Sequence, residues 1–423
     1  MTTEVERTRL RANPMRSAVV LVGTLGCVYS ISQFLRNSIG VIAPDLAVEL
    51  NMPASEIGLL SSVFFFTFAA AQIPLGVALD RYGPRRCMLA CAAIAVVGAL
   101  LFASAQSTSL LIVARMLMGI GSSCYLMAPL ALYAKRFPPD RFATLVGIQI
   151  GLGTLGTLLA TAPYAWAVAA AGWRMSFFGV AVAMLLAGVL IAVVVREDPA
   201  PNTGMPRETL RESLAGTMEA VRTPSFWRIF LMQLTCYSSF VIVVGLWGGP
   251  YLTHIYGYSL TERGNMLFVA VVGQIVGSFL WGPMDRIFNS YKIPILIGNG
   301  LTAMTMATAA ILGVLSPPAL FIWFIAIGAL TASITVLIAH GKSLFPPHLV
   351  ARGMTLLNMG TMGGVFLSQT MTGFIIDLFP PVGGGYALDA YRVVFGFQAC
   401  VMLLGCLIYL GSRDPRRNPQ AVG

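Results

Sequence analysis

The sequence predicts an all-α membrane protein: twelve transmembrane helices arranged as two parallel six-helix bundles. Three observations carry that expectation: scarce charge, the number of long apolar runs, and a repeat relating the two halves. Of 423 residues, 27 are Lys or Arg and 17 are Asp or Glu, 10% in all, against about a quarter in a soluble domain. The hydrophobic share is 57% and the mean hydropathy is +0.79. No soluble core could enclose that much apolar surface and still clothe its outside. A soluble enzyme, a disordered chain and a fibrous repeat are excluded together.

A helix needs about 20 apolar residues to cross a bilayer core. Short charged or Gly/Pro-rich breaks divide the chain into runs at 17–43, 56–79, 86–106, 109–134, 142–168, 174–195, 226–252, 261–284, 291–313, 318–341, 350–378 and 390–411. These are spans 1 to 12 below. Span 1 is too long for a cleaved signal, and its flank carries Glu4 and Glu6 among the arginines. The runs are continuous rather than alternating, which argues against a β-barrel.

Basic residues orient the chain. An even span count puts both termini on one side, with 22 of the 27 Lys and Arg residues. The other five are Arg36, Arg115, Arg174, Arg263 and Arg392. Both termini are therefore expected in the cytoplasm, with the chain in the inner (plasma) membrane. The formal charge of +10 is an orientation signal rather than a nucleic-acid patch.

The repeat fixes the architecture. Span 1 leads into Pro44 and span 7 into Pro250, 206 residues apart, and Ser55-Glu56-x-Gly58 returns as Thr261-Glu262-x-Gly264 at the same offset. Asp80-Arg81 returns as Asp285-Arg286, Phe137-Pro138-Pro139 as Phe345-Pro346-Pro347, and Arg141-x-x-Thr144-Leu145 as Arg352-x-x-Thr355-Leu356. The slowly drifting offset is what loop insertions in a tandem duplication produce. Six spans per half make the repeats parallel. The expected units are 1–195, a polar cytoplasmic linker 196–225, and 226–423. Within the linker Leu210, Leu214, Met218 and Val221 recur at helical spacing, predicting a short amphipathic helix.

Two such bundles with a long tether resemble the major facilitator superfamily over nearly the whole chain. The specific residues lie between spans 2 and 3. There Gly76-Val-Ala-Leu-Asp80-Arg81-Tyr-Gly83-Pro-Arg85-Arg86 is similar to the superfamily's loop signature, G-x-x-x-D-R-x-G-x-R-R. Gly282-Pro-Met-Asp285-Arg286 is a weaker copy, and Arg115-x-x-x-Gly119-x-Gly121 in span 4 resembles the family's fourth-helix motif. The resemblance implies a conformational lock built from Gly76, Asp80, Arg81, Gly83, Arg85 and Arg86, with Asp285 and Arg286 as its second-half counterpart. A carboxylate at the C-terminal end of span 2 opposes its own helix dipole and needs a cationic or helix-N-terminal partner. Gly76 is expected at a close backbone approach and Gly83 at a tight turn.

Ionisable side chains at membrane depth face a cavity or a partner. Arg36 and Arg115 qualify, and no Asp or Glu lies in a span's interior, away from its ends, to neutralise them. Tyr29, Gln33, Arg36 and Gly40 share one face of span 1. Span 11 offers Asn358 and Gln369 with Val365 and Thr372; span 7 offers Gln233, Tyr237 and Trp247; span 5 offers Gln149 among Thr154, Thr157 and Thr161. The candidate substrate-binding set is Arg36, Arg115, Tyr29, Gln33, Gln149, Gln233, Tyr237, Trp247, Asn358 and Gln369. Helix–helix adhesion is the competing role, favoured for the threonines. A guanidinium stays charged and grips carboxylates bidentately. The expected solute is therefore small and anionic or zwitterionic, with Arg36 the stronger contact and Arg115 weighted toward structure or coupling.

A narrower resemblance is to the superfamily's organic-anion symporters, which carry an Asp-Arg pair on span 1 and a Glu after R-x-x-x-G-x-G on span 4. Arg36 matches, but Leu35 and Ser122 stand where those acids would be. That leaves Asp45, Glu56, Asp377, His254 or the solute's own proton for coupling. Drug efflux is the alternative, weakened because span 5 lacks the antiporters' Gly-Pro-x-x-Gly-Gly run. No nucleophile–base pair or phosphate loop suggests an enzyme. The seven cysteines and three histidines are scattered, so no disulfide framework, metal or cofactor is expected. The expected partners are a small solute, a coupling proton or ion, and lipid around a monomer.

Overall fold

The computed structural model describes residues 14–196, 216, 218–346 and 349–417, with backbone alone for 14–17, 80, 139, 140, 143 and 351. The expected linker helix falls largely outside these residues. Only its end is described, where 218–221 are helical and Ala220 is buried.

Nearly every sequence-defined span is a helix. Several are broken at the small or polar residues that interrupt their apolar runs. Span 1 is Pro14–Asn37 followed, after Ser38, by Ile39–Glu49, reaching further than expected. Span 4 is Thr108–Ser122 and Cys124–Arg136, interrupted at Ser123; span 10 is Pro317–Thr331 and Ile334–Ser343. Spans 2, 3, 8, 9, 11 and 12 are Ala54–Tyr82, Pro84–Ala103, Leu260–Trp281, Lys292–Leu312, Val350–Asp377 and Leu388–Tyr409. Span 5 begins as Pro139–Leu159, then joins span 6 in one helical stretch, Ala162–Val194. That stretch is broken only at Gly172, where φ is 79° and the absence of Cβ permits the turn. Span 7 contains a wide turn: Phe226–Ile242 passes through a π-helical segment, Val243–Trp247, into Gly248–Tyr256. Such segments often mark functional positions.

Among the described residues ten helical segments are long and apolar enough to cross a membrane. The twelve expected from sequence differ at spans 5 and 11. The former contributes only a shorter apolar helix, Thr144–Leu159. The latter is long but diluted by Asn358, Gln369 and threonines. Large apolar side chains cover the outside, as at Leu185, Leu186, Val189 and Val193 of span 6 and Phe279 and Leu280 of span 8. Lipid is the solvent such a surface requires.

The face bearing the loop motif is the basic face, and the opposite one the distal face. The two halves are closely joined in the distal half. Span 2 packs along span 11, where a methyl group on Gly58 would lie 2.7 Å from the Gln369 carbonyl oxygen. Gly40 and Gly249 bring spans 1 and 7 so close that a methyl on either would overlap the other span's backbone carbonyl. Span 2 also begins unexpectedly. Its free N–H groups at Ala54 and Ser55 donate to the Asp377 carboxylate of span 11, at 2.8 and 3.0 Å, rather than to a local hydroxyl. Span 8 starts one residue earlier than expected, on a capping box formed by Ser259 and Glu262.

Candidate functional site

The break in span 1 at Ser38 organises the centre of the first half. The Leu35 carbonyl beside it accepts from Arg115 Nη1 at 2.6 Å and from Ser38 Oγ at 3.3 Å. Arg115 Nε donates to Leu60 O at 3.3 Å, Nη2 reaches Ser61 O at 3.5 Å, and the guanidinium covers the Phe64 ring at 4.7 Å. Arg115 is wholly buried. Carbonyl dipoles and a ring face distribute its charge, tying spans 1, 2 and 4 together. It is thus removed from the expected substrate-binding surface. Gly119 and Gly121 of the same motif admit spans 2 and 3 to van der Waals contact.

Arg36 is solved differently. Its guanidinium lies 4.4 Å from the Phe68 ring centroid, with Tyr29 of span 1 nearby and Tyr237 of span 7 within hydrogen-bonding reach. The residue is 5% exposed, yet its Nε has no acceptor. No carboxylate lies within ion-pair distance of it among the described residues. Further unmatched polar atoms lie on spans 1 and 11: Gln33 Oε1, Asn37 Oδ1, and both Oε1 and Nε2 of Gln369. Asn37 Nδ2 is satisfied by Gln33 O at 3.0 Å, so its free oxygen is held in place. A methyl built on Gly245, in the π-helical turn of span 7, would see Asn37 Oδ1 at 3.4 Å and Gln369 Nε2 at 3.8 Å. Spans 1, 7 and 11 therefore bring two of these amides, Asn37 and Gln369, to a common place beside Gly245, across the two halves. Each buried polar atom left unmatched costs about 1–3 kcal/mol, a deficit that a polar ligand would remove.

The other candidates are engaged elsewhere. Gln149 accepts from Tyr133 Oη at 2.8 Å and donates to Leu25 O at 3.1 Å and Tyr125 O at 3.4 Å. Gln233 accepts from Thr361 Oγ1 at 2.6 Å. Both amides fasten helices within their own half, which corrects the slight preference for a cavity role. Trp247 donates to Thr372 Oγ1 at 2.8 Å, joining spans 7 and 11. Asn358 is half-buried, three helical turns nearer the basic face than Gln369. Asn37 and Phe68 were not singled out from sequence. Asn37 adjoins Arg36, and its amide at membrane depth was a usable signal; Phe68 is one of many span phenylalanines and offered none.

In the loop motif, Gly83 takes φ 82°, the expected turn between spans 2 and 3. Gly76 does not make the expected close approach; its missing side chain faces open space. Arg81 rests on Tyr82 at 5.4 Å and is exposed. Arg85 Nη2 donates to Ala192 O at 2.8 Å, at the end of span 6, where helix carbonyls are free. Arg86 is engaged as well. The Asp80 side chain lies outside the described residues. In the second-half copy, Asp285 pairs with Arg416 at 2.5 Å, and Arg286 is exposed. Asp414 binds Ser290 Oγ at 2.6 Å and the Lys292 N–H at 3.4 Å. This copy is thus closed by the segment after span 12, inside its own half.

Comparison with known proteins agrees with this architecture. Residues 25–251 and 230–423 each match the family described as Major Facilitator Superfamily. The probable sulfoacetate transporter SauU of Cupriavidus necator is 25% identical over 92% of this chain and 93% of its own length. The hexuronate transporter of Bacillus subtilis is 24% identical over 91% and 94%. Among solved structures, a D-xylose–proton symporter superposes with a TM-score of 0.72 at 16% identity, covering 92% of this chain and 97% of that one. A bacterial homologue of the human lysosomal transporter Spinster gives 0.70 at 18%, covering 94% and 95%.

Proposed function

The chain belongs to the Major Facilitator Superfamily, and from that premise we propose that it carries a small organic anion, bound at Arg36, across the inner membrane by alternating access. The carrying observation is the incompletely matched cation: Arg36 is buried with an Nε that has no acceptor and, among the described residues, without a carboxylate partner, and spans 1 and 11 carry three amides with spare hydrogen-bonding atoms. A carboxylate or sulfonate would accept from Arg36 and Gln369 Nε2. Hydroxyl groups on the same solute would donate to Gln33, Asn37 and Gln369 oxygens. Tyr29 and Tyr237 complete the wall. Relatives named for sulfoacetate, L-galactonate, hexuronate and galacturonate support this reading.

The basic face is read as cytoplasmic by the distribution of Lys and Arg. The tight distal closure then corresponds to an inward-facing state. Residues 1–195 and 226–423 rock about the Arg36 region as two units, tethered through 196–225, with the loop motif governing the cytoplasmic side. A monovalent anion entering a negative interior moves against about 2.3 kcal/mol per 100 mV, so accumulation requires a proton or other cation to accompany it.

The test is uptake by proteoliposomes of galacturonate, sulfoacetate and galactose at equal concentration, with and without an inward proton gradient. Uptake of the two anions, with galactose excluded, is the expected result. Galactose carried as well as the anions would overturn the proposal.

A further inference from the structure

Across the distal face, a cleft of about 690 Å³ lies between the halves, lined by Asp45, Glu49, Thr253, His254, Arg263 and the Val382–Gly385 turn. Its most charged element is the ion pair of Asp45, at the end of span 1, with Arg263, in the first turns of span 8. Arg263 is 3% exposed on its side chain, against 42% for Asp45. Its Nη1 donates to Thr253 Oγ1 at 3.1 Å, within its own half, and its Nε has no acceptor.

The other arginines on this side keep their partners in their own half. Arg174 pairs with Glu49 and donates to Ala105 O at 3.1 Å. Arg392 pairs with Asp389 at 3.1 Å and donates to Ala310 O at 2.9 Å. Arg115 is bound by carbonyls of spans 1 and 2. When the halves separate on the distal side, these pairs travel intact. Asp45 leaves with the first half, while Thr253 holds Arg263 on the second. Arg263 is then the one distal arginine that loses its counter-charge, and it already has a donor to spare.

We infer that Arg263 is a relay cation: Asp45 neutralises it while the distal side is shut, and the incoming anion takes that place when the distal side opens, before passing to Arg36. This rests on the anion reading above and adds a second, transient binding residue to it. Asp45 is then a competitor of the solute as well as a latch.

The two roles separate because either partner's removal breaks the same ion pair. A latch alone predicts that Asp45→Asn and Arg263→Gln alter transport alike. The relay predicts opposite directions. Galacturonate uptake would be measured in right-side-out vesicles, with inside-out vesicles as the reference. The expected result is a KM from the distal side lowered several-fold in Asp45→Asn and raised about tenfold in Arg263→Gln, with partial rescue in Arg263→Lys. KM from the basic side should change less than twofold in all three. Distal KM values moving together would overturn the relay, as would equal changes from both sides. Arg36→Ala in the same vesicles distinguishes the underlying reading: an unaltered KM there overturns the cavity assignment, whatever the other variants show. Intrinsic tryptophan melting of each purified variant keeps a folding defect from imitating either outcome.

Discussion

Two buried guanidiniums occupy the first half, and the protein treats them oppositely. Arg115 has Leu35, Leu60 and Ser61 carbonyls and the Phe64 ring. Arg36, one residue from one of those carbonyls, has the Phe68 face and an idle Nε. A charge at membrane depth demands compensation. Where the chain supplies all of it, the residue is a rivet; where the chain supplies part of it, the proposed function assigns the remainder to a ligand. The contrast separates structural from functional charge without reference to exposure, since both side chains are buried.

The strongest test of the rivet is Arg115→Ala. Hydrogen bonds from a charged donor contribute about 1.5–3 kcal/mol each, so a stability loss on the order of 3 kcal/mol is expected, with partial recovery in Arg115→Lys. Thermal melting in detergent reads the loss, and the surviving protein should bind galacturonate with unchanged affinity. An unchanged melting midpoint with lost binding would reverse the two arginines' roles.

One turn beyond Arg36, Gly40 lets span 1 approach the span 7 backbone. Gly40→Ala forces that contact apart, at a cost of about 1–3 kcal/mol for overpacking. Transport turnover should fall on the order of tenfold, while hydrogen exchange rises along Ile39–Glu49 because the distal closure is loosened. Unaltered exchange in that helix would mean the closure does not depend on this contact.

Gln369→Leu sharpens the cavity itself. It removes one donor and one acceptor from the cluster, each hydrogen bond being worth about 0.5–1.5 kcal/mol. The expected result is a Kd for galacturonate raised roughly five-fold by that margin, with melting unchanged or slightly improved, because two unmatched atoms are gone. A lower melting midpoint would show that the amide serves packing instead.

The smallest effect concerns a third arrangement, the surface pair of Glu49 with Arg174. The Trp173 indole donates to Glu49 at 2.7 Å, and with the adjacent Arg174 it holds the carboxyl below its ordinary range, against the opposing effect of burial. A depressed folded-state pKa stabilises above the unfolded value, about 4.3, and the benefit disappears as pH falls through the folded value. Wild type should therefore melt slightly higher than Glu49→Gln at pH 7, and the difference should shrink and then vanish as pH falls through and below the depressed folded-state value. A difference that persists in acid would assign the effect to packing.

The fold was legible because lipid imposes a coarse, length-based code. Long apolar runs, basic loops and the recurrence of Asp80-Arg81 as Asp285-Arg286 survive without knowledge of any contact. The site was legible only where a residue type is intrinsically expensive in a membrane, as at Arg36. Amides were ambiguous because a glutamine can fasten helices or line a cavity equally well. Gln149 and Gln369 differ only in what surrounds them. Span 1's face, counted through Tyr29, Gln33, Arg36 and Gly40, passed over Asn37. The carbonyl arrangement that occupies Arg115, and the Asp377 cap on span 2, join residues 80 and more than 300 positions apart. No local pattern encodes such pairings.

Direct binding to the purified protein tests the central claim, that Arg36 is the anion's counter-charge. Isothermal titration with galacturonate and with sulfoacetate would be run on wild type, Arg36→Ala and Arg36→Lys. Truncating one side of a buried, hydrogen-bonded charge pair costs about 2–5 kcal/mol. The account predicts a Kd raised about 30-fold or more for Arg36→Ala, with measurable recovery in Arg36→Lys and all three proteins melting as folded species. An Arg36→Ala protein that binds either anion as tightly as wild type would contradict it.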